Sequence, residues 1–236
     1  MGEKSFTAAR RLRWALGFAL LLLALALFFV WSLMSGSVAL RAGEVLSAVL
    51  SGGGSDLAAD VIWKIRLPRL LAGMVLGGAL ALSGYLLQVF FHNPIAGPFV
   101  LGISSGAKLT VALALIFVLR QHRMASAAFL ILAAFAGAML SMAFVLLMAR
   151  RVRGMSMLVI SGMMIGYICS AITDFVVTFA SDADIVNLHN WSMGSFSGMS
   201  WDNVRVMTAV VAAAGVGSFL LAKPIGAFQM GEDYAQ

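Results

Sequence analysis

Long apolar runs broken by short clusters of charge set the pattern of this chain. Spanning a hydrocarbon core of about 30 Å takes roughly 20 residues of helix. Six runs meet that length: Trp14 to Leu33, Leu70 to Phe91, Phe99 to Leu119, Met124 to Met148, Met157 to Phe179 and Val204 to Leu221. They predict an all-α, polytopic membrane helix bundle, a single transmembrane domain over residues 1–236. Arg10, Arg11 and Arg13 precede the first run as in a secretory leader, but the run is of spanning length and no small-residue cleavage site is clear, so it reads as a retained first helix. Between the first two runs, "RAGEVLSAVL" places Val45, Leu46, Val49 and Leu50 on one helical face. That predicts a short helix lying on the membrane, ended by the turn "SGGGSD".

The break between the second and third runs is "FFHNPIAGPFVLGISSGAKL". Pro94 and Pro98 disfavour helix at the residues before them and donate no backbone hydrogen bond, so one helix ends near Phe91 and the next starts near Phe99. Gly102 and Gly106 loosen that start, and irregular backbone at membrane depth requires cover from protein or a water-filled cavity. Small residues recur at every fourth position: Gly73, Gly77 and Ala81; Ala133, Gly137 and Ser141; Gly162, Gly166 and Ser170. Lipid supplies no hydrophobic drive for helix association, so such ridges predict close backbone packing.

Composition sharpens the class. Only 11% of residues are charged and 61% are hydrophobic, with a mean hydropathy of +0.98, against about 25% charged in soluble domains. The net charge of +6 is dispersed between apolar runs, which suits loops that set topology and not a nucleic-acid surface. Lys4, Arg10, Arg11, Arg13, Arg150, Arg151, Arg153 and Lys223 fall on one side, and Arg41, Lys64, Arg66, Arg69, Arg120 and Arg123 on the other, eight against six. The first side is therefore expected to be cytoplasmic and to hold both termini.

Several chemistries are excluded. A lone Cys169 forms neither an internal disulfide nor a cysteine metal cluster, and His92, His122 and His189 fall in separate loops, so no metal or other cofactor is expected. The 15 methionines suit adaptable apolar packing. "GISSG" matches G-x-S-x-G without the strand-to-helix turn and nearby base of a nucleophile elbow. A rhomboid-type intramembrane protease would need G-x-S-G and a histidine within a helix, which the sequence lacks, so no catalytic residue is expected. No G-x-x-x-x-G-K-[ST] phosphate loop occurs either, so ATP-driven work requires an ATPase on another chain.

The charged residues near or within the runs have two readings each. Lys64, Arg66 and Arg69 in "WKIRLPRLLAG" either snorkel toward headgroups or present charge to a partner, with Pro68 expected in the first turn of the second span. Asp174 lies within the fifth run, roughly 9 Å from its outer end at about 1.5 Å per residue. It is either a buried acid satisfied by Ser170 or Thr178, or a position on a translocation path. Lys108, roughly 13 Å deep by the same rise, is a pairing candidate for Asp174.

The motifs carry a resemblance. "RLPRLLAGMVLGGALALSGYLLQVFFHNPIAGPFVLGISSGA", "WSMGSFSGMSW" at 191–201 and "MGEDYA" at 230–235 follow, in order, the R-x-P-R entry with its glycine-rich helix, the W-x-M-G-S-x-x-x-x-x-W loop and the L-G-E-x-x-A segment of one family. The chain resembles the permease subunits of bacterial ABC importers for iron chelates, haem and cobalamin. Lys108 departs from the small residue usual after "SGA". Family members are longer, and the resemblance implies that this chain lacks the family's C-terminal third, which leaves an inactive fragment or scaffold as an alternative.

The resemblance implies an inner-membrane protein that works as a homodimer with a cytoplasmic ATPase subunit and a periplasmic substrate-binding protein. Arg66 and Arg69 are then expected to accept carboxylates from that binding protein, with Lys64 adding steering charge. Gly231, Glu232, Asp233 and Tyr234 are expected to couple to the ATPase. The family's base rate favours an iron chelate, siderophore or haem, over cobalamin.

Overall fold

The computed structural model describes residues 2–52, 56–118, 127–151 and 154–229. Its regular elements there are helices: α1 (Gly2–Met34), α2 (Ala42–Leu50), α3 (Leu57–Asp60), α4 (Leu67–Phe91), α5 (Ile103–Leu113), α6 (Ala127–Ala149), α7 (Met155–Val177), α8 (Asp182–Met193), α9 (Trp201–Leu220) and α10 (Ala222–Gln229). Two π-helical stretches join them, Val61–Arg66 between α3 and α4 and Ala114–Val118 after α5. Among the described residues five helical segments are long and apolar enough to cross a membrane: Arg10–Met34, Leu57–Phe91, Ala128–Ala149, Ser156–Val177 and Trp201–Leu220. The third expected span is a shorter apolar helix, Ile103–Phe117. It starts at Ile103 and not Phe99 because residues 97–102 form turns that end on a left-handed Gly102, φ +72°.

By internal packing the chain forms two compact units, Met1–Leu76 with Phe196–Val210, and Gly77–Ser195 with Val211–Gln236. In the first, the second expected span begins well before Leu70. One helical run extends from Leu57 to Phe91, and Pro68, fully buried, is the second residue of α4, where the run passes from π to α spacing. A proline in a helix lacks an N–H and presses its ring on the carbonyl four residues back. Widening the preceding turns to π spacing relieves that contact, and the Leu67 N–H accordingly donates to the Ile62 carbonyl.

The short helix predicted from "RAGEVLSAVL" forms as α2, its start held by the Arg41 N–H donating to the Glu44 carboxylate at 2.8 Å. Val45 and Ala48 are buried while Leu46 and Leu50 are exposed. The small Ala48 lets α2 approach Trp63, whose indole N–H donates to the Ala48 carbonyl at 2.8 Å. Val45 and Ala48 join Leu33, Ala59, Ile62 and Leu67 in one apolar cluster.

In the second unit, α5 packs against α6 and α7 through the predicted small-residue ridges. A side chain at Gly106 would run into Ser141 Oγ and the Gly137 carbonyl, and one at Gly137 into Thr110 Oγ1 and the Gly106 carbonyl. Thr110 donates to the Ala133 carbonyl at 2.7 Å, so the two helices run antiparallel. Along α7, Gly102 meets Gly162 and Gly166 and Ser170 Oγ lies 3.5 Å from Ser105 Oγ, so α5 and α7 run parallel. Gly102 is doubly constrained, by its positive φ and because a Cβ would stand 2.7 Å from the Gly162 carbonyl oxygen. Gly73 and Gly77 of the remaining ridge have no neighbour within 4 Å of a Cβ position.

The connection before α5 behaves as its prolines dictate. α4 ends at Phe91, His92 takes φ 48°, and Asn93 Oδ1 accepts from the Ile95 N–H at 2.9 Å. Phe91, Ala96 and Leu101 are buried with Val145, Leu158 and Val159. Beyond α7 the chain forms α8, which the apolar pattern does not predict because polar residues interrupt it. Ser181 starts it, accepting from the Asp184 N–H at 3.3 Å and donating to the Asp184 carboxylate at 2.7 Å. Leu188 and Trp191 of α8 then pack on Val111, Ala112 and Leu115.

Candidate functional site

The cations of "WKIRLPRLLAG" have three different environments. Lys64 is exposed and pairs with Asp60 at 2.8 Å, one helical turn back. Arg66 is only 7% exposed. Its guanidinium donates to the carbonyls of Leu33 and Val38 and lies flat on Gly36, where a Cβ would sit 2.8 Å from Nη2. Leu33 belongs to the last turn of α1, whose carbonyls lack helical donors and favour a cation. Arg66 therefore does not snorkel toward headgroups: its guanidinium closes the end of α1. Arg69 is half-buried and donates through Nη2 to the Ser197 carbonyl at 2.7 Å.

Two sequence motifs meet here. Pro68 supplies no N–H to the Trp63 carbonyl, the acceptor that π spacing assigns to it. The Trp201 indole takes that place, donating to the Trp63 carbonyl at 2.7 Å, with the two indole rings 6.0 Å apart. The R-x-P-R entry and the loop that ends at Trp201 are thus joined by a tryptophan that replaces the donor a proline removed. Sequence reasoning missed this link. The signal was present: a proline inside the helical run, and a tryptophan in the other motif able to donate.

In the second unit the polar positions of α5 and α7 line up. An open cavity of about 300 Å³ is walled by Phe99, Ser105, Met163, Tyr167 and Ser170. One turn beyond, Lys108 on α5 and Asp174 on α7 stand at the same level, since Ser105 and Ser170 face each other. Both are exposed and form no ion pair with one another, so the pairing expected of them is not made. The expected satisfaction of Asp174 by its neighbours is also absent: Ser170 turns to Ser105, and Thr178 donates to the Phe175 carbonyl. Asp174 lies nearer its helix end than expected, three residues before Val177 or about 4.5 Å.

Among the described residues no three histidines, cysteines or acids gather to hold a metal. Gly231, Glu232, Asp233 and Tyr234 lie outside the described residues, as do Arg120, His122, Arg123 and Arg153.

The description of the FecCD transport family matches residues 22–236, from within α1 through both motifs at the Arg66 junction. The chain belongs to the FecCD transport family. The vitamin B12 import system permease protein BtuC of Salmonella paratyphi A is 38% identical to it over 202 residues, 86% of this chain and 58% of that protein. Its counterpart in Salmonella newport is 37% identical over the same span. A solved inward-facing conformation of a metal-chelate type ABC transporter superposes with a TM-score of 0.74 at 26% identity, covering 92% of this chain and 65% of the other. This FecCD chain thus spans under three fifths of the length of those BtuC relatives.

Proposed function

We propose that this FecCD chain is a membrane-spanning permease subunit of an ATP-driven importer, moving a metal chelate from a periplasmic binding protein toward the cytoplasm. The observation that carries the reading is the match to the FecCD family over residues 22–236 on a chain with five helices able to cross a membrane. The names of the BtuC relatives favour a corrinoid cargo over the iron chelate suggested by the family's base rate. The apolar cavity with two serine hydroxyls, flanked by Lys108 and Asp174, which form no ion pair among the described residues, suits a path that a large amphipathic chelate lines up against. In this reading a second copy closes the path, and residues 1–236 act as one permease domain in the inner membrane. A separate ATPase subunit grips Gly231, Glu232, Asp233 and Tyr234.

Docking of the binding protein falls to Arg69 and the Lys64–Asp60 pair, with Arg66 positioning them from behind. The test is uptake into vesicles carrying the permease, its ATPase and its binding protein, with radiolabelled cobalamin, haem and a ferric siderophore supplied in turn. ATP-dependent uptake of cobalamin above the other two supports the reading; no ATP-dependent uptake of any chelate contradicts it. Orientation has its own check in a Cys169→Ser background. A cysteine placed at Ser51 is expected to react from outside and one at Gly154 only after permeabilisation, and the reverse pattern would refute cytoplasmic termini.

A further inference from the structure

The positive charge of the first unit is not balanced where it sits. Among the described residues neither Arg66 nor Arg69 pairs with a carboxylate; the ion pairs there join Lys64 to Asp60 and Arg205 to Asp202. Carbonyl oxygens satisfy the hydrogen-bonding geometry of Arg66 but carry no net charge, and buried charges in proteins are ordinarily paired. Both arginines line one cavity of about 260 Å³, together with Ser32, Ser35 and Ser37 and with no acidic residue in its wall. The three serine hydroxyls make no hydrogen bond to another described residue. Arg69 Nη1 makes no hydrogen bond to another described residue, while Nη2 is held by the Ser197 carbonyl and Nε is enclosed.

Three hydroxyls and the Arg69 guanidinium around a space without a counter-charge are the donor set of a tetrahedral oxyanion, to which Arg66, its own Nη atoms committed to carbonyls, adds charge. The position of the cavity says where such an anion comes from. It opens at the C-terminal end of α1, whose span Arg10–Met34 is apolar and almost wholly uncovered by the rest of the chain. Trp31, one turn before Ser35, is 67% exposed, the placement of a tryptophan at a membrane–water boundary. A lipid standing beside α1 brings its phosphodiester to this level.

We propose that the cavity between Ser32–Val38 and Arg66–Arg69 is a phosphate-binding site, filled in the membrane by the headgroup phosphate of a lipid lying against α1. The site stands independently of the transport reading and is tested without binding protein or ATPase. A carboxylate docking on Arg69 would have to displace the phosphate.

The experiment is thermal unfolding of the purified full chain in neutral detergent, titrated with dihexanoylphosphatidylglycerol, with inorganic phosphate, and with chloride at matched ionic strength. A ligand that binds the folded state raises the midpoint with its concentration. Both phosphates are expected to raise it above the chloride control. Half-saturation by the lipid at about tenfold lower concentration or less, equivalent to roughly 1.4 kcal/mol, identifies the lipid as the source. Equal half-saturation identifies free phosphate, and either result supports the oxyanion site.

Arg69→Gln and the double variant Ser35→Ala, Ser37→Ala each remove donors, and a rise of about tenfold in the half-saturating concentration for either supports the assignment. The serine pair serves where Arg69→Gln does not fold. No shift above chloride in the unaltered chain, or a shift left unchanged by both variants, would overturn the proposal.

Discussion

The Arg66 junction of the first unit and the Gly106–Gly137 crossing of the second hold helices together by opposite means. At the crossing, side chains are missing and backbone meets backbone. At the junction, one long side chain reaches two carbonyls, and an indole takes the place of an N–H that proline lacks. Without a hydrophobic drive between helices in lipid, packing and polar bonds are the means available. The two differ in what a substitution does. Adding atoms breaks the crossing, whereas removing donors breaks the junction.

The largest expected effect is at the crossing. Gly137→Leu drives a side chain into the Gly106 carbonyl, a backbone atom that has no rotamer with which to yield. A loss of about 3 kcal/mol or more is expected, at the top of the usual overpacking range, read by denaturant titration in mixed micelles. Gly77→Ala sharpens the comparison, because nothing lies within 4 Å of its Cβ position. It is expected to leave stability unchanged or raise it by about 0.5 to 1 kcal/mol, as removing a glycine from a helix does.

Next comes Arg66→Leu, which strands the Leu33 and Val38 carbonyls. The expected cost is about 2 to 3 kcal/mol, since a buried unsatisfied acceptor costs roughly 1 to 3. Arg66→Lys recovers only part of it, because an ammonium lacks the planar fork that spans both carbonyls. A smaller loss, about 1 kcal/mol, is expected for Trp201→Phe, which leaves the Trp63 carbonyl without its donor. That loss should shrink in a Pro68→Ala background, where a backbone N–H becomes available, and the non-additivity is read from a double-mutant cycle. Additive losses would mean that the indole does not replace the missing donor. Least affected is Lys64→Ala, expected to cost no more than about 0.5 kcal/mol because its pair with Asp60 is exposed.

The same contrast explains what was legible in the sequence. Ridges such as Ala133–Gly137–Ser141 and Gly162–Gly166–Ser170 announce close packing by composition alone, and both are used. The helix end at Phe91 follows from prolines whose constraints are local. Arg66 was not legible in this way. Whether an arginine at a helix end faces water or folds back depends on carbonyls at Leu33 and Val38, far away in sequence. The contact of Val45 and Ala48 with Ile62 was not legible either, since an amphipathic pattern does not say which of its residues meet lipid and which meet protein. Pro68 marked the first turn of α4, but the π-helical stretch that continues the run before it has no composition of its own.

The account rests on a division of labour between neighbouring arginines, Arg66 holding the fold from inside and Arg69 carrying the docking charge. The direct measurement is titration of the permease complex in nanodiscs with its binding protein, for the unaltered protein, Arg66→Lys and Arg69→Glu, scored per folded complex. The account predicts that Arg66→Lys leaves affinity unchanged while lowering stability. Arg69→Glu is expected to weaken docking by about tenfold or more and to be partly restored by a Glu→Arg reversal on the binding protein. Equal loss of affinity in both variants, or none with Arg69→Glu, would contradict it.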